Sequence, residues 1–266
     1  MAFCLEALKN QTYKNIEINI VDGFSKDKTL SIAKTFHVRE IKKSKGSLLQ
    51  ARYEGTKIAR GKYVLILDSD QVLSATTVER AVKKIETESF DMFALEESVY
   101  QCNTFIEKLF QLDRQLINKL SDLSPFTGVI MPRFFKTDLL KRAYDNIPMK
   151  IILSNTGGPD HAIVYYEAWL ISKKVGILTD AIRHMEANTL KQLMRKLYRW
   201  GYTSVEAHYG PYHHLMSQKE RLRKGLFTKG LYVESLGSIL LLFFKGISFY
   251  AGYYKGVFDR YRQAKN

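Results

Sequence analysis

The sequence predicts an α/β fold: a mostly parallel sheet flanked by helices, continued by a basic and amphipathic helical C-terminal extension. Three observations predict it. Short β-branched runs alternate with helical patterns through the first ninety or so residues. Two of those runs end in aspartate, which puts both acids on one rim of the sheet. From Arg183 onward the chain turns strongly basic and helical in pattern.

Taken in order, residues 2–10 read as the end of a helix and Ile16–Val21 as a strand. Asp27 can cap a helix that carries Leu30, Ala33 and Phe36 on one face. Val38–Ile41 is a second short strand, and Leu48–Ala59 a helix closed by Gly61 at its C′ position. Tyr63–Leu67 is a continuous apolar run, the pattern of a strand buried on both faces. Thr76 and Glu79 have the spacing of a capping box for a helix over Thr77–Ile85. Residues 91–155 are less regular, with a helix at Ile106–Leu120 and a loop over Ser124–Gly128. A helix at Ala162–Ser172, a short strand at Val175–Leu178 and an acidic turn at Asp180 follow. Two regions result: 1–182, an α/β domain, and 183–266, a basic helical region.

A chain of 266 residues is long enough for one such domain and an appendage. With 45% hydrophobic and 26% charged residues its composition is globular, which excludes a disordered chain. Cys4 and Cys102 offer neither a disulfide framework nor metal-ligand spacing, so both are read as reduced, cytosolic thiols. Met1 leads into Ala2-Phe3-Cys4 without the basic start and apolar core of a signal peptide. Forty-one basic against twenty-seven acidic residues give a net charge of +14. That excess suits a polyanionic partner, an acidic membrane surface or a phosphorylated substrate, or solubility alone. No nucleic-acid-binding motif accompanies it, so no nucleic acid is expected.

The chemistry points to the acids. Val21 runs into Asp22, and Leu67 into Asp68-Ser69-Asp70. Two carboxylates two residues apart on an extended backbone share one side, an arrangement suited to a hard cation such as Mg²⁺ or Mn²⁺. Such an ion can also bind a diphosphate.

Three stretches stand in one order and spacing: Asp22-Gly23-Phe24-Ser25-Lys26-Asp27-Lys28-Thr29; Gly46…Ala51-Arg52…Gly55…Ala59-Arg60-Gly61-Lys62-Tyr63; and Leu67-Asp68-Ser69-Asp70. In these the chain resembles the family 2 glycosyltransferases, inverting enzymes of the GT-A fold. The resemblance is dense over residues 3–75 and looser to about 205. It implies a GT-A-like sheet and transfer of a sugar from a UDP- or GDP-sugar donor to a lipid-linked or glycan acceptor, with inversion. It implies that Asp22 contacts the base and ribose, and that Asp68 and Asp70 bind the nucleotide and its metal. Arg52 matches the arginine of the family's Ala-Arg-Asn run, with Tyr53 in place of the Asn.

Inversion requires a general base for the acceptor hydroxyl. Gly157-Gly158-Pro159-Asp160-His161 resembles the family's acidic motif, with Pro159 in its first place, and makes Asp160 the candidate base. Asp160 also suits the cap of the helix that follows, and the two roles are compatible. His184 corresponds to a histidine that approaches metal or donor phosphates in several relatives. Lys196-Leu197-Tyr198-Arg199-Trp200 resembles Gln-x-x-Arg-Trp, which would let Arg199 pair with phosphate and Trp200 stack on the acceptor. The same stretch also reads as one turn of a basic amphipathic helix.

Gly237–Tyr254 is apolar, marginal in length against the ~20 residues of a membrane span, and carries Lys245. Glu234, Ser238, Lys245, Ser248, Gly252, Lys255, Asp259 and Arg262 fall on one stripe interrupted only by Leu241, with Leu240, Phe243, Ile247 and Tyr254 away from it. This is one amphipathic helix, or two broken near Gly246. It suits a membrane interface, the catalytic domain or a second copy of the chain. Peripheral contact at the cytoplasmic face of the cell membrane is the resulting expectation.

Relatives open with a strand that precedes the helix with which this chain starts. Without it, strand edges would be left unpaired. Either residues upstream supply it or the copy is truncated. The alternative to an enzyme is therefore a catalytically inactive sugar-nucleotide or lipid-binding protein.

Overall fold

A computed structural model describes residues 1–120, 123–126, 130–154, 160–205, 210–218, 226–263 and 265. Gly157, Gly158, Pro159 and part of the loop expected at 124–128 lie outside the described residues, as do parts of the basic segment between 206 and 225.

The first third alternates as expected: α1 (Ala2–Lys9), β1 (Asn19–Asp22), α2 (Thr29–Ala33), β2 (Glu40–Lys43), α3 (Leu48–Ile58), β3 (Tyr63–Leu65), β4 (Gln71–Leu73) and α4 (Thr77–Thr87). Ser47 caps α3 by accepting from the Gln50 amide. Gly61 does not close that helix. Ala59 leaves it in an extended conformation, and the Arg60 amide donates to Glu17 Oε1 at 2.6 Å. The capping box at Thr76 is likewise not formed. Glu79 is drawn off by the Thr12 hydroxyl at 2.6 Å, and Gln11 Oε1 receives the Val78 amide at 3.1 Å instead.

The middle is more regular than its sequence suggests. β5 (Met92–Val99), α5 (Phe105–Leu120), β6 (Pro132–Lys136), α6 (Thr137–Asn146), α7 (Met149–Ile152) and α8 (Asp160–Ile171) fill it. β7 runs from Val175 to His184, well past the expected four residues. It absorbs the turn at Asp180 (φ 47°) as an irregularity opposite Leu95–Glu97, where the Asp180 amide donates to Glu96 Oε2 at 2.8 Å. After it come α9 (Leu190–Ser204), α10 (His213–Gln218) and α11 (Tyr232–Gln263). α11 is one continuous helix with no break at Gly246.

The sheet is less parallel than expected. β1 and β2 form a parallel pair by themselves, and the other five strands are ordered β3-β6-β5-β7-β4. Of those neighbours only β5 and β7 are parallel. The antiparallel character comes from β6, which lies in the stretch that showed no clear pattern and pairs with β3 and β5, and from β4, the short edge strand that pairs with β7. β3 is an edge strand and only half-buried, so its apolar run does not mark a doubly covered strand. β1 and β3 are not hydrogen-bonded to each other, and both line one cleft, so the unpaired edges expected from the sequence are present.

Residues 66–70 link β3 to β4, the two edges of the five-stranded sheet. Six residue steps reach about 20 Å, close to the ~19 Å of four strand spacings. The curl of the sheet lets this short link cross the rim, and Asp68 and Asp70 ride on it. Packing alternates with the pleat. Met92 and Phe135 face α6 and α8, whereas Phe93 and Phe134 face α4. A third cluster joins Ile106, Leu109 and Phe110 of α5 to Leu193 and Leu197 of α9 and Leu241 of α11.

Candidate active site

The rim opens into a cleft of about 1630 Å³ lined by Asp22, Arg52, Asp68, Asp70, Asp160, His184 and Trp200. Seven of the eight residues singled out from sequence therefore share one cavity. Arg199 does not line it. It is exposed, so the pairing with Trp200 is split between the cleft wall and the outer face of α9.

Arg52 is the hub. It projects from α3, its side chain is only 10% exposed, and Nη2 donates to Asp68 Oδ1 at 2.7 Å while Nη1 bonds Asp160 Oδ2. Asp160 starts α8 with its side chain 3% exposed and held in this ion pair. Asp68 Oδ2 takes a second guanidinium, Arg133 Nη1, at 3.1 Å. Burial opposes the Asp68 charge, but Arg133 and Arg52 outweigh it and hold the carboxyl well below the usual range.

From Arg133 the network runs on. Its Nε donates to Glu97 Oε1 at 3.0 Å, and Arg114 pairs with Glu97 Oε2 at 2.8 Å and with Glu186 Oε1 at 2.7 Å. Glu186 also accepts from His184 Nδ1 at 2.7 Å, and His184 Nε2 lies 3.3 Å from Asp70 Oδ1. Asp160 and Asp70 are thus joined by one line of alternating charge. Burial disfavours the His184 cation, yet hydrogen bonds to Asp70 and Glu186 raise its pKa to about 9. Gln71 braces the floor, accepting from the Asp68 amide and donating to Glu97 Oε1, both at 3.0 Å.

Asp22 stands apart from this line. It is buried at the end of β1, and its carboxylate accepts the Ser25 amide at 3.2 Å. Arg133, Glu97, Arg114 and Glu186 were missed from sequence. Glu97 interrupts an apolar strand, and Arg114 falls among the buried positions Phe110, Asp113 and Ile117 of α5. A charge at a core-facing position was the available signal.

For a divalent ion, Asp70 and His184 are the residues that fit. The Asp70 side chain is 42% exposed to the cleft with His184 beside it, whereas both Asp68 oxygens are taken by arginines. Among the described residues no three acid, histidine or cysteine side chains form a closed cage. The donor set therefore suits an ion completed by a ligand's phosphates, as Mg²⁺ is commonly held, and His184 would have to give up its proton to join it.

The chain matches the family described as Glycosyl transferase family 2 over residues 1–175. It is 28% identical to the Escherichia coli UDP-Glc:alpha-D-GlcNAc-diphosphoundecaprenol beta-1,3-glucosyltransferase WfaP over 269 residues, 98% of this chain and 92% of that protein. It is 30% identical over 95 residues to the Streptococcus pneumoniae glycosyltransferase GlyG, covering 34% of this chain and only 32% of GlyG, about a third of its length. In structure it resembles S. aureus TarS 1–349 in complex with UDP-GlcNAc, with a TM-score of 0.56 at 16% identity over 98% of this chain and 87% of that one. At that identity the likeness is one of fold, and it bears out the GT-A-like α/β architecture with a helical C-terminal extension.

Proposed function

The chain belongs to glycosyl transferase family 2, and from that premise we propose that it transfers a sugar, with inversion, from a UDP- or GDP-sugar to a lipid-linked or glycan acceptor at the cytoplasmic membrane surface. The observation that carries this reading is Arg52, whose one guanidinium joins Asp68, on the donor side, to Asp160, the candidate base. WfaP, similar over nearly the whole chain, is named for a UDP-glucose donor and a diphosphoundecaprenol-linked acceptor, which supports both halves of the proposal.

Asp22 contacts the base and ribose, and Asp68, Asp70 and His184 face the diphosphate. The acceptor oxygen attacks the anomeric carbon from the side opposite the diphosphate. The bond from that carbon to the phosphate oxygen breaks, its electron pair leaves with the diphosphate, and Asp160 takes the acceptor's proton. Arg52 and Arg133 can turn from Asp68 to the developing charge. A Mg²⁺ or Mn²⁺ ion, when bound, supplies further positive charge there. Trp200 offers a stacking face to the acceptor.

The test is calorimetric titration of UDP, GDP and their common sugars with and without Mn²⁺. Metal-dependent binding of one nucleotide, abolished in the Asp68→Ala, Asp70→Ala double variant, is the expected result. Unchanged affinity in that variant would sink the proposed site. Donor binding without turnover on any lipid-linked or glycan acceptor would favour a sugar-nucleotide-binding protein over an enzyme.

A further inference from the structure

α11 is turned inside out relative to a helix of a soluble core. Its small and polar stripe faces the protein. Ser238 donates to the buried Asp113 of α5 at 2.6 Å, and Lys119 pairs with Glu234 at 2.9 Å. Gly252 lies so close to α9 that a Cβ there would stand 1.9 Å from the Tyr198 carbonyl. The opposite side carries the large apolar groups. Leu236, Phe243, Ile247, Tyr250, Tyr254 and Phe258 are all at least half-exposed, with Phe243 at 59% and Tyr254 at 67%. At 1.5 Å per residue this face extends along a helix of about 48 Å, far beyond the scattered exposure normal for a surface.

We infer that this face lies flat in an anionic lipid bilayer, a placement that rests on the reading of the chain as a transferase with a membrane-borne acceptor. α11 is long and apolar enough to cross a membrane by length and composition. Its inner half, however, is committed to α5 and α9 through a buried carboxylate and backbone-close glycines, so insertion across the bilayer would strip those contacts. A helix with one face held by protein and the other apolar belongs in the interface plane. Charge selects the occupant. Lys191, Arg195 and Arg199 are exposed on α9 beside the helix, and the chain carries +14 overall. Basic groups there attract an acidic lipid surface and repel a second copy of the same chain. Tyrosines along the stripe suit the headgroup level. The arrangement also serves the cleft. Trp200 lines it, and the next residue, Gly201, packs under Phe249 of α11, so the cleft wall and the lipid-facing helix share α9.

The experiment is cosedimentation of the full chain with vesicles of phosphatidylglycerol and phosphatidylcholine, against phosphatidylcholine alone. It compares the wild type with a Phe243→Ser, Ile247→Ser, Tyr254→Ser variant, with donor calorimetry and light scattering in parallel. Expected are binding to the acidic vesicles and a loss on the order of tenfold or more in the variant, with donor affinity and circular dichroism unchanged. No wild-type binding, or binding that the variant keeps, overturns the inference while leaving the donor reading intact. A lipid-free dimer that the variant dissociates also overturns it, because the face then covers a second copy. Vesicle binding without donor binding supports the surface and counts against the transferase reading.

Discussion

Asp160 is bound by Arg52, whose other nitrogen reaches Asp68 Oδ1 at 2.7 Å, so the candidate base and the candidate donor-side acid share one cation. Removing that cation leaves Asp160 buried without its Arg52 ion pair. Breaking such a pair from one side costs about 3–5 kcal/mol. Arg52→Ala is therefore expected to lower unfolding stability by about that amount in a urea titration. A loss under about 1 kcal/mol would mean that the bridge contributes little to the folded chain.

Asp160→Asn separates base from scaffold. The amide keeps the size and can still accept a hydrogen bond from Arg52, but it cannot take a proton. Turnover is expected to fall by about 10²–10⁴ with donor affinity within a few-fold of wild type. Equal loss of both in kinetics and calorimetry would make Asp160 a positioning residue.

The network predicts the acid side of a stability profile. Burial opposes the Glu97 charge, but Arg114 and Arg133 hold its pKa below the ordinary 4.5. A depressed carboxylate stabilises the fold fully above that ordinary value, and the contribution is lost as pH falls through the lowered one. Thermal midpoints should fall steeply below about pH 4.5, and Glu97→Gln should be less stable at neutral pH with a flatter acid limb. Parallel limbs in the two proteins would remove Glu97 from the account.

Those residues also mark where sequence reading stopped. Asp22, Asp68 and Asp70 were legible because each follows a β-branched run, and a strand end fixes which rim a side chain occupies. Arg52, Asp160 and His184 needed a family resemblance as well, and the structure draws them together with Asp68 and Asp70. Glu97 and Arg133 lie on β5 and β6, whose mixed pairing leaves no simple alternation to read, and Arg114 lies on the helix α5. Their meaning exists only across the sheet, where three separate segments meet. The polar stripe of α11 was visible, but whether it faced protein or solvent depended on a partner, Asp113, more than a hundred residues away.

Cys4 and Cys102 offer a chemical probe of the cleft floor. Cys102 is exposed, whereas Cys4 is buried beneath the Asp68 carbonyl, and burial pushes its thiol up to about 11. Thiolate is the reactive form. Iodoacetamide at pH 8 is expected to modify Cys102 first, with Cys4 protected until denaturant is added. Mass spectrometry showing comparable rates would mean that α1 opens from the rim.

The seam between α9 and α11 gives the last prediction. A Cβ at Gly201 would stand 1.9 Å from the Phe249 carbonyl, and one at Gly252 equally close to the Tyr198 carbonyl. Both obstacles are backbone, so a helix must move as a whole. Alanine would add about 1 kcal/mol of helix propensity at either position, against an overpacking cost of typically 1–3 kcal/mol or more. The clash should win, so Gly201→Ala and Gly252→Ala are expected to be net destabilising, and Gly246→Ala, where a Cβ meets nothing within 4 Å, neutral or stabilising. Because Gly201 adjoins Trp200 at the cleft, the first variant should also weaken acceptor use more than donor binding. A thermal series in which all three substitutions behave alike would mean that the helices are not in close contact, and the outward turn of the apolar face would lose its support.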